Sequence, residues 1–152
     1  YDLLEEIDWH WLSTSIPAFI HGDPQPENVI VTPEGKFCLL DWREDFGGLS
    51  YGDVYYDLAK IYHALIVSGA VIRENGYSIA EGKEIAYSLS FKENLVKFKN
   101  IMERFIKDNG YDLKKVRVLS GLIYLNIAAL HHEPYNRFLY YFGRKYLSEV
   151  LV

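Results

Sequence analysis

The sequence predicts an α+β chain that is mainly helical, with one small β-hairpin set between two polar loops. Three observations carry that expectation. Apolar residues recur at helical spacing from Val54 to Leu65 and again over three later stretches. Two short apolar runs, Val29-Ile30-Val31 and Phe37-Cys38-Leu39-Leu40, flank turn chemistry in Thr32-Pro33-Glu34-Gly35-Lys36. The segments on either side of those runs are rich in glycine, proline and acidic residues, which excludes regular helix or central strand. With 152 residues, 49% of them hydrophobic, the chain is long enough to bury one core, so a single domain is expected.

Taken in order, Leu3, Leu4, Ile7, Trp11 and Leu12 share one face of a first amphipathic helix that ends between Ser13 and Pro17. Ala18-Phe19-Ile20 is extended and leads into an ordered polar loop from His21 to Asn28. The hairpin follows, and Asp41 to Gly52 forms the second loop. From Asp53 the pattern is helical, with Val54, Leu58, Ile61, Tyr62 and Leu65 on one face and Ser68-Gly69 as the expected stop. Residues 70–90, which include Gly76 and Gly82, match no element. Three further helices are expected at about 91–108, 112–131 and 134–150, separated by Asn109-Gly110 and by His131-His132-Glu133-Pro134. The tyrosines Tyr135, Tyr140, Tyr141 and Tyr146 read mostly as core of the last helix, and His131-His132 as a solvated helix end.

Composition excludes several partners. A formal charge of -5 leaves no basic footprint for a phosphate backbone, so nucleic acid is not expected. The apolar stretch Val116 to Leu130 is interrupted by Arg117 and Asn126 and falls short of the roughly 20 residues that span a bilayer, so no membrane is expected either. The lone Cys38 has no partner for an internal disulfide and reads as a small packed hydrophobe, which fits a reducing cytoplasm.

The polar loops carry an ordered set of side chains. Asn28 follows Asp23 by five residues, and the hairpin returns the chain to Asp41, 18 residues after Asp23. Pairing around the turn brings Asn28 and Asp41 to the same open end of the hairpin. An amide oxygen and a carboxylate converging there suit Mg2+, which takes one or two carboxylates together with substrate phosphates and water. Asp23 then lies beside the metal without ligating it, placed to accept the proton of a substrate hydroxyl. Phosphoryl transfer asks little more of a protein than this.

His21-Gly22-Asp23, then Asn28, then Leu40-Asp41-Trp42 is similar to the His-Gly-Asp-x-x-x-x-Asn catalytic loop and following metal-binding Asp of the aminoglycoside phosphotransferase and choline kinase family. Gly52-Asp53-x-x-x-Asp57-Leu58-Ala59 resembles the same family's helix start, so the likeness covers residues 18–62. It implies a protein-kinase-like fold of which this chain is the C-terminal lobe. It also implies Asp23 as catalytic base, Asn28 and Asp41 as the ligands of Mg2+ and its nucleotide, and Asp57 as a buried acceptor for the catalytic-loop backbone. ATP would be the phosphate donor, and a small-molecule hydroxyl, on an amino alcohol, sugar or aminoglycoside, the acceptor.

His21 is expected to fix the loop by hydrogen bonding. Asp53 reads either as a substrate contact or as the cap of the helix that follows it. Asp45-Phe46-Gly47 spells the protein-kinase metal motif but lies 22 residues after Asp23, whereas Asp41 has the family's spacing; Asp45 is therefore read as a loop residue facing substrate. The family's glycine-rich phosphate loop and strand lysine have no counterpart in the 20 residues before His21, which contain no glycine. An N-terminal nucleotide lobe is accordingly expected upstream of Tyr1 in the same polypeptide. Two other readings of these residues stay open: a non-catalytic regulatory or binding domain that keeps the fold as a scaffold, and a protein kinase, which Gly22 in place of the protein-kinase Arg disfavours.

Overall fold

A computed structural model describes residues 2–44, 47–49 and 51–152. In chain order the elements are a 3-10 turn at Leu3–Glu6, α1 Trp9–Ser13, β1 Pro17–Ala18, a 3-10 turn at Pro26–Asn28, β2 Val29–Val31, β3 Phe37–Leu39, β4 Gly52–Asp53, α2 Val54–Ile66, α3 Gly69–Arg73, β5 Tyr77–Glu81, β6 Ile85–Leu89, α4 Glu93–Asp108, α5 Leu113–Ala128 and α6 Tyr135–Leu151. The chain is thus mainly helical α+β, and its described strands form three two-stranded antiparallel sheets, β1-β4, β2-β3 and β5-β6.

The long helices build the core. α2 buries Tyr55, Leu58, Ala59 and Tyr62 against Ile106 of α4 and Val116 and Ile123 of α5. α5 in turn packs Tyr124 and Ala128 on Phe138, Leu139 and Phe142 of α6. Gly143 lets these two helices approach: a Cβ there would meet Tyr124 Cβ at 2.9 Å. Ile7 and Leu12 close one end of the bundle on Val118 and Leu147. Among the described residues no helix is long and apolar enough to cross a membrane.

Several elements differ from expectation. The first helix is broken, because Asp2 and Asp8 each turn a carboxylate onto a following backbone N–H, that of Leu4 and of Trp11, and so start two short turns in place of one long helix. Ser68 does not stop α2; its hydroxyl accepts from Val71 N and begins α3. Residues 77–89 form a hairpin in which Tyr77 pairs with Leu89 and Ile79 with Tyr87, and these four side chains pack toward α6. Cys38 is exposed rather than packed, since β2-β3 is a two-stranded sheet over which, among the described residues, no further strand is paired. On α6 the core positions are Phe138, Leu139, Phe142 and Leu147, whereas Tyr135, Tyr141 and Tyr146 are half-buried and Tyr140 is exposed. Asp45, read from the sequence as a substrate-facing residue, lies with Phe46 outside the described residues.

Candidate active site

The first loop is held from one side by α2. Asp53 caps that helix: its Oδ1 accepts from Tyr55 N at 3.1 Å and also from Ile16 N at 3.1 Å, which ties the strand entering the loop to the helix start. The pairing of Ala18 with Gly52 reinforces the same tie. One turn further on, Asp57 accepts from His21 N at 2.7 Å through Oδ2 and from Gly22 N at 2.8 Å through Oδ1. Charge-assisted bonds of this kind are about twice as strong as neutral ones. Gly22 accepts the clamped geometry because its φ is 83°, and a Cβ would strike the Arg43 side chain at 2.8 Å.

Asp23 follows the clamp and is braced at each polar group. His21 Nδ1 accepts from Asp23 N at 3.2 Å, which puts the imidazole proton on Nε2. His21 is buried, its ring 4.7 Å from that of Trp42. The Asp23 carbonyl accepts from Asn28 Nδ2 at 2.8 Å. The carboxylate meets the Lys60 ammonium at 2.6 Å through Oδ1, while among the described residues Oδ2 has only the longer contacts to Gln25 Nε2 and Asn28 Nδ2, both 3.4 Å. His63, one turn beyond Lys60, is buried, and burial followed by the Lys60 charge lowers its pKa to about 4.

Asp41 is tied to this loop by its neighbours. Leu40 N donates to Asn28 O at 2.8 Å, one step beyond the Val29-Leu39 pair, and Arg43 N donates to His21 O at 3.0 Å. Between those two bonds Asp41 adopts φ 58°, a left-handed conformation that costs a non-glycine residue about 1 kcal/mol or more and that Asp tolerates better than most. Its carboxylate is exposed. The Asn28 amide must present nitrogen to the Asp23 carbonyl, so its Oδ1 stays available as an acceptor. Among the described residues no three His, Cys, Asp or Glu side chains cluster as a metal site. An amide oxygen and a carboxylate are donors of the kind Mg2+ takes alongside water and phosphate.

The residues read from the sequence thus occupy two adjoining loops: Asp23, Asn28 and His21 in one, Asp41 at the start of the next, with Asp57 beneath the first. Two participants escaped the sequence reading. Lys60 was hidden as an ordinary helix lysine, although its place three residues after Asp57 sets it on the same helix face. Gln25 was passed over within the proline-rich loop. A cavity of about 580 Å³ lies elsewhere, between α2, α4, α5 and α6, lined by Tyr62, Leu65, Phe91, Phe142 and Tyr146. Beside it the Glu103 carboxylate, which burial alone would make harder to ionise, is brought to a pKa of about 2 by hydrogen bonds from Tyr62, Arg117 and Lys99.

A helix carboxylate thus clamps an acidic loop, and a hairpin leads from that loop to a second acidic residue. Comparison with protein families matches residues 1–87 to APH, the phosphotransferase enzyme family. The chain belongs to that family. Searches of curated proteins and of solved structures return no match.

Proposed function

We propose that this chain is the protein-kinase-like C-terminal lobe of a Mg-dependent phosphotransferase, which moves the terminal phosphoryl group of ATP to a hydroxyl of a small molecule such as an amino alcohol, a sugar or an aminoglycoside. The observation that carries the reading is the pair of backbone bonds, Leu40 N to Asn28 O and Arg43 N to His21 O, that ties Asp41 to the loop bearing Asp23 and Asn28. Family membership supports it at the level of phosphotransfer.

In this reading Asp23 Oδ2, the carboxylate oxygen with only long contacts among the described residues, accepts the proton of the acceptor hydroxyl. The hydroxyl oxygen bonds to the γ-phosphorus as that phosphorus parts from the oxygen bridging it to the β-phosphate. ADP leaves with the bridging oxygen, and the proton passes from Asp23 to solvent. Asn28 Oδ1 and the Asp41 carboxylate would hold Mg2+, which when bound neutralises the phosphate oxygens. Asp57 and His21 keep the loop in register, and Asp53 joins the loop's entry to the helix.

The described residues of the second loop before β4 are exposed, and apolar side chains beside the two loops are uncovered, Phe19 at 88% and Trp42 at 54% exposure. Phosphoryl transfer proceeds against hydrolysis only where water is excluded. That uncovered rim supports a second, nucleotide-gripping lobe closing over the loops. Calorimetry with Mg-ATP on the full natural polypeptide, beside an Asp41→Ala variant, tests the proposal. Metal-dependent binding lost in the variant is expected, followed by transfer of labelled phosphate to one of ethanolamine, glucose or kanamycin and no transfer by Asp23→Asn. No nucleotide binding under any metal condition would leave the scaffold reading in its place, and label transferred to protein in place of small molecules would favour a protein kinase.

A further inference from the structure

We propose that Lys60 is a positioning residue for Asp23, holding carboxylate Oδ1 in an ion pair so that Oδ2 alone is presented to the acceptor hydroxyl. The role in catalysis rests on the phosphotransferase reading above; the pair itself does not. Lys60 Nζ lies 2.6 Å from Asp23 Oδ1, and the two side chains are only 9% and 20% exposed. An ammonium is buried so far only when paired, because its desolvation otherwise outweighs any gain. The two amides on Oδ2, at 3.4 Å, are too long to compete for the same hold on the carboxylate.

The origin of the pair strengthens the argument. Asp57 and Lys60 are three residues apart on α2 and so lie on one face of the helix. Asp57 holds the backbone of His21 and Gly22, and Lys60 holds the side chain of the next residue. Three consecutive loop residues are thus fixed by one helical turn, the last of them at the atom that decides which carboxylate oxygen is free. Gln25, the loop residue nearest to Asp23 with a long polar side chain, is uncharged, so within the loop itself nothing supplies an equivalent cation. A carboxylate free to rotate would offer either oxygen, and a displacement of about 1 Å at a reacting group costs on the order of a hundredfold in rate.

Two measurements test the proposal. The first is a double-mutant cycle on thermal stability with Asp23→Asn, Lys60→Met and the double variant. Each single change is expected to lower Tm by roughly 5–10 °C, because it strands one member of a mostly buried pair, and the double change by clearly less than the sum. Additive shifts would mean that the pair does not exist in solution and would overturn the proposal whatever the protein's activity. The second is steady-state transfer from Mg-ATP to the acceptor found above, on the full natural polypeptide. Lys60→Met is expected to lose about a hundredfold in kcat with KM for Mg-ATP unchanged, and Lys60→Arg, which keeps the charge, to recover part of it. A folded Lys60→Met variant with unaltered kcat would overturn the positioning role, as would a loss confined to KM for Mg-ATP, which would make Lys60 a phosphate contact. If the unaltered protein transfers phosphate to nothing, the phosphotransferase reading fails, and a non-additive cycle then leaves Lys60 a structural partner only, which also overturns the positioning role.

Discussion

Removing the Asp57 carboxylate should release the first loop while leaving the hairpin intact. Asp57→Ala strands two backbone N–H groups, those of His21 and Gly22, that now donate at 2.7 and 2.8 Å. An unsatisfied buried donor costs about 1–3 kcal/mol. Asp57 is half-buried, so water can partly replace it, and a total near 3 kcal/mol is the reasonable figure for the two bonds together. In a chain of this size that corresponds to a fall in Tm of about 6–12 °C. Asp57→Asn should resemble Asp57→Ala more than the unaltered protein, because its single amide oxygen serves one N–H and its NH2 group opposes the other. Hydrogen exchange locates the effect. The amides of His21 and Gly22 should exchange about a hundredfold faster in Asp57→Ala, whereas that of Leu40, bonded to Asn28 O, should be unchanged. If His21 and Gly22 exchanged at the same rate in both proteins and the melts coincided, the clamp would have no energetic content and the placement of Asp23 would need another cause.

Two further outcomes follow from neighbouring groups. His63 has a folded pKa of about 4 against 6.5 when free, so as pH falls the unfolded chain takes up the proton first; stability is full above about pH 6.5 and should decline by about 3 kcal/mol toward pH 4. Urea denaturation across that range checks this, and His63→Phe should flatten the decline. Gly22→Ala should cost at least the 1–2 kcal/mol of a left-handed non-glycine residue, and adding Arg43→Ala should remove the clashes with Cδ and Cγ but leave that with the Arg43 Cβ at 2.9 Å, so that only part of the steric cost and none of the conformational part is recovered.

The four long helices α2, α4, α5 and α6 and the site loops were legible in the sequence because each has a local signature. The 3.6-residue spacing of Val54, Leu58, Ile61 and Leu65 reports a buried face directly, and the glycines and prolines around Asp23 report a loop. Other features depend on partners that sequence spacing does not reveal. The β5-β6 hairpin has the alternation Tyr77, Ile79 and Tyr87, Leu89, but its strands are short and are stabilised by α6, more than 45 residues further on. The exposure of Cys38 was unreadable because an apolar strand looks the same whether or not something covers it. Lys60 was missed because a helical lysine is ordinarily solvated; only its contact with Asp23 distinguishes it.

That contact points to a general property of α2. Asp53, Asp57 and Lys60 recur at i, i+4 and i+7, a helical spacing as regular as that of the apolar residues Tyr55, Leu58, Tyr62 and Leu65 on the core side. The first three reach the loop at Ile16, at His21 with Gly22, and at Asp23. On the other side, Ser120 Oγ donates to Ala59 O at 3.3 Å and Tyr124 Oη to His63 O at 2.7 Å, fastening the same stretch of helix to α5. The loop's geometry is therefore inherited from the packing of α2 on α5 and is not a property of the loop sequence alone. A close-packed interior does not yield continuously to small displacements, so a shift of α2 along α5 would move all three polar contacts together. This couples the placement of Asp23 to the stability of the helical core, and it explains why a short polar segment containing two prolines and a glycine, with little regular structure of its own, holds its acidic residue at the backbone N–H, the carbonyl and one carboxylate oxygen.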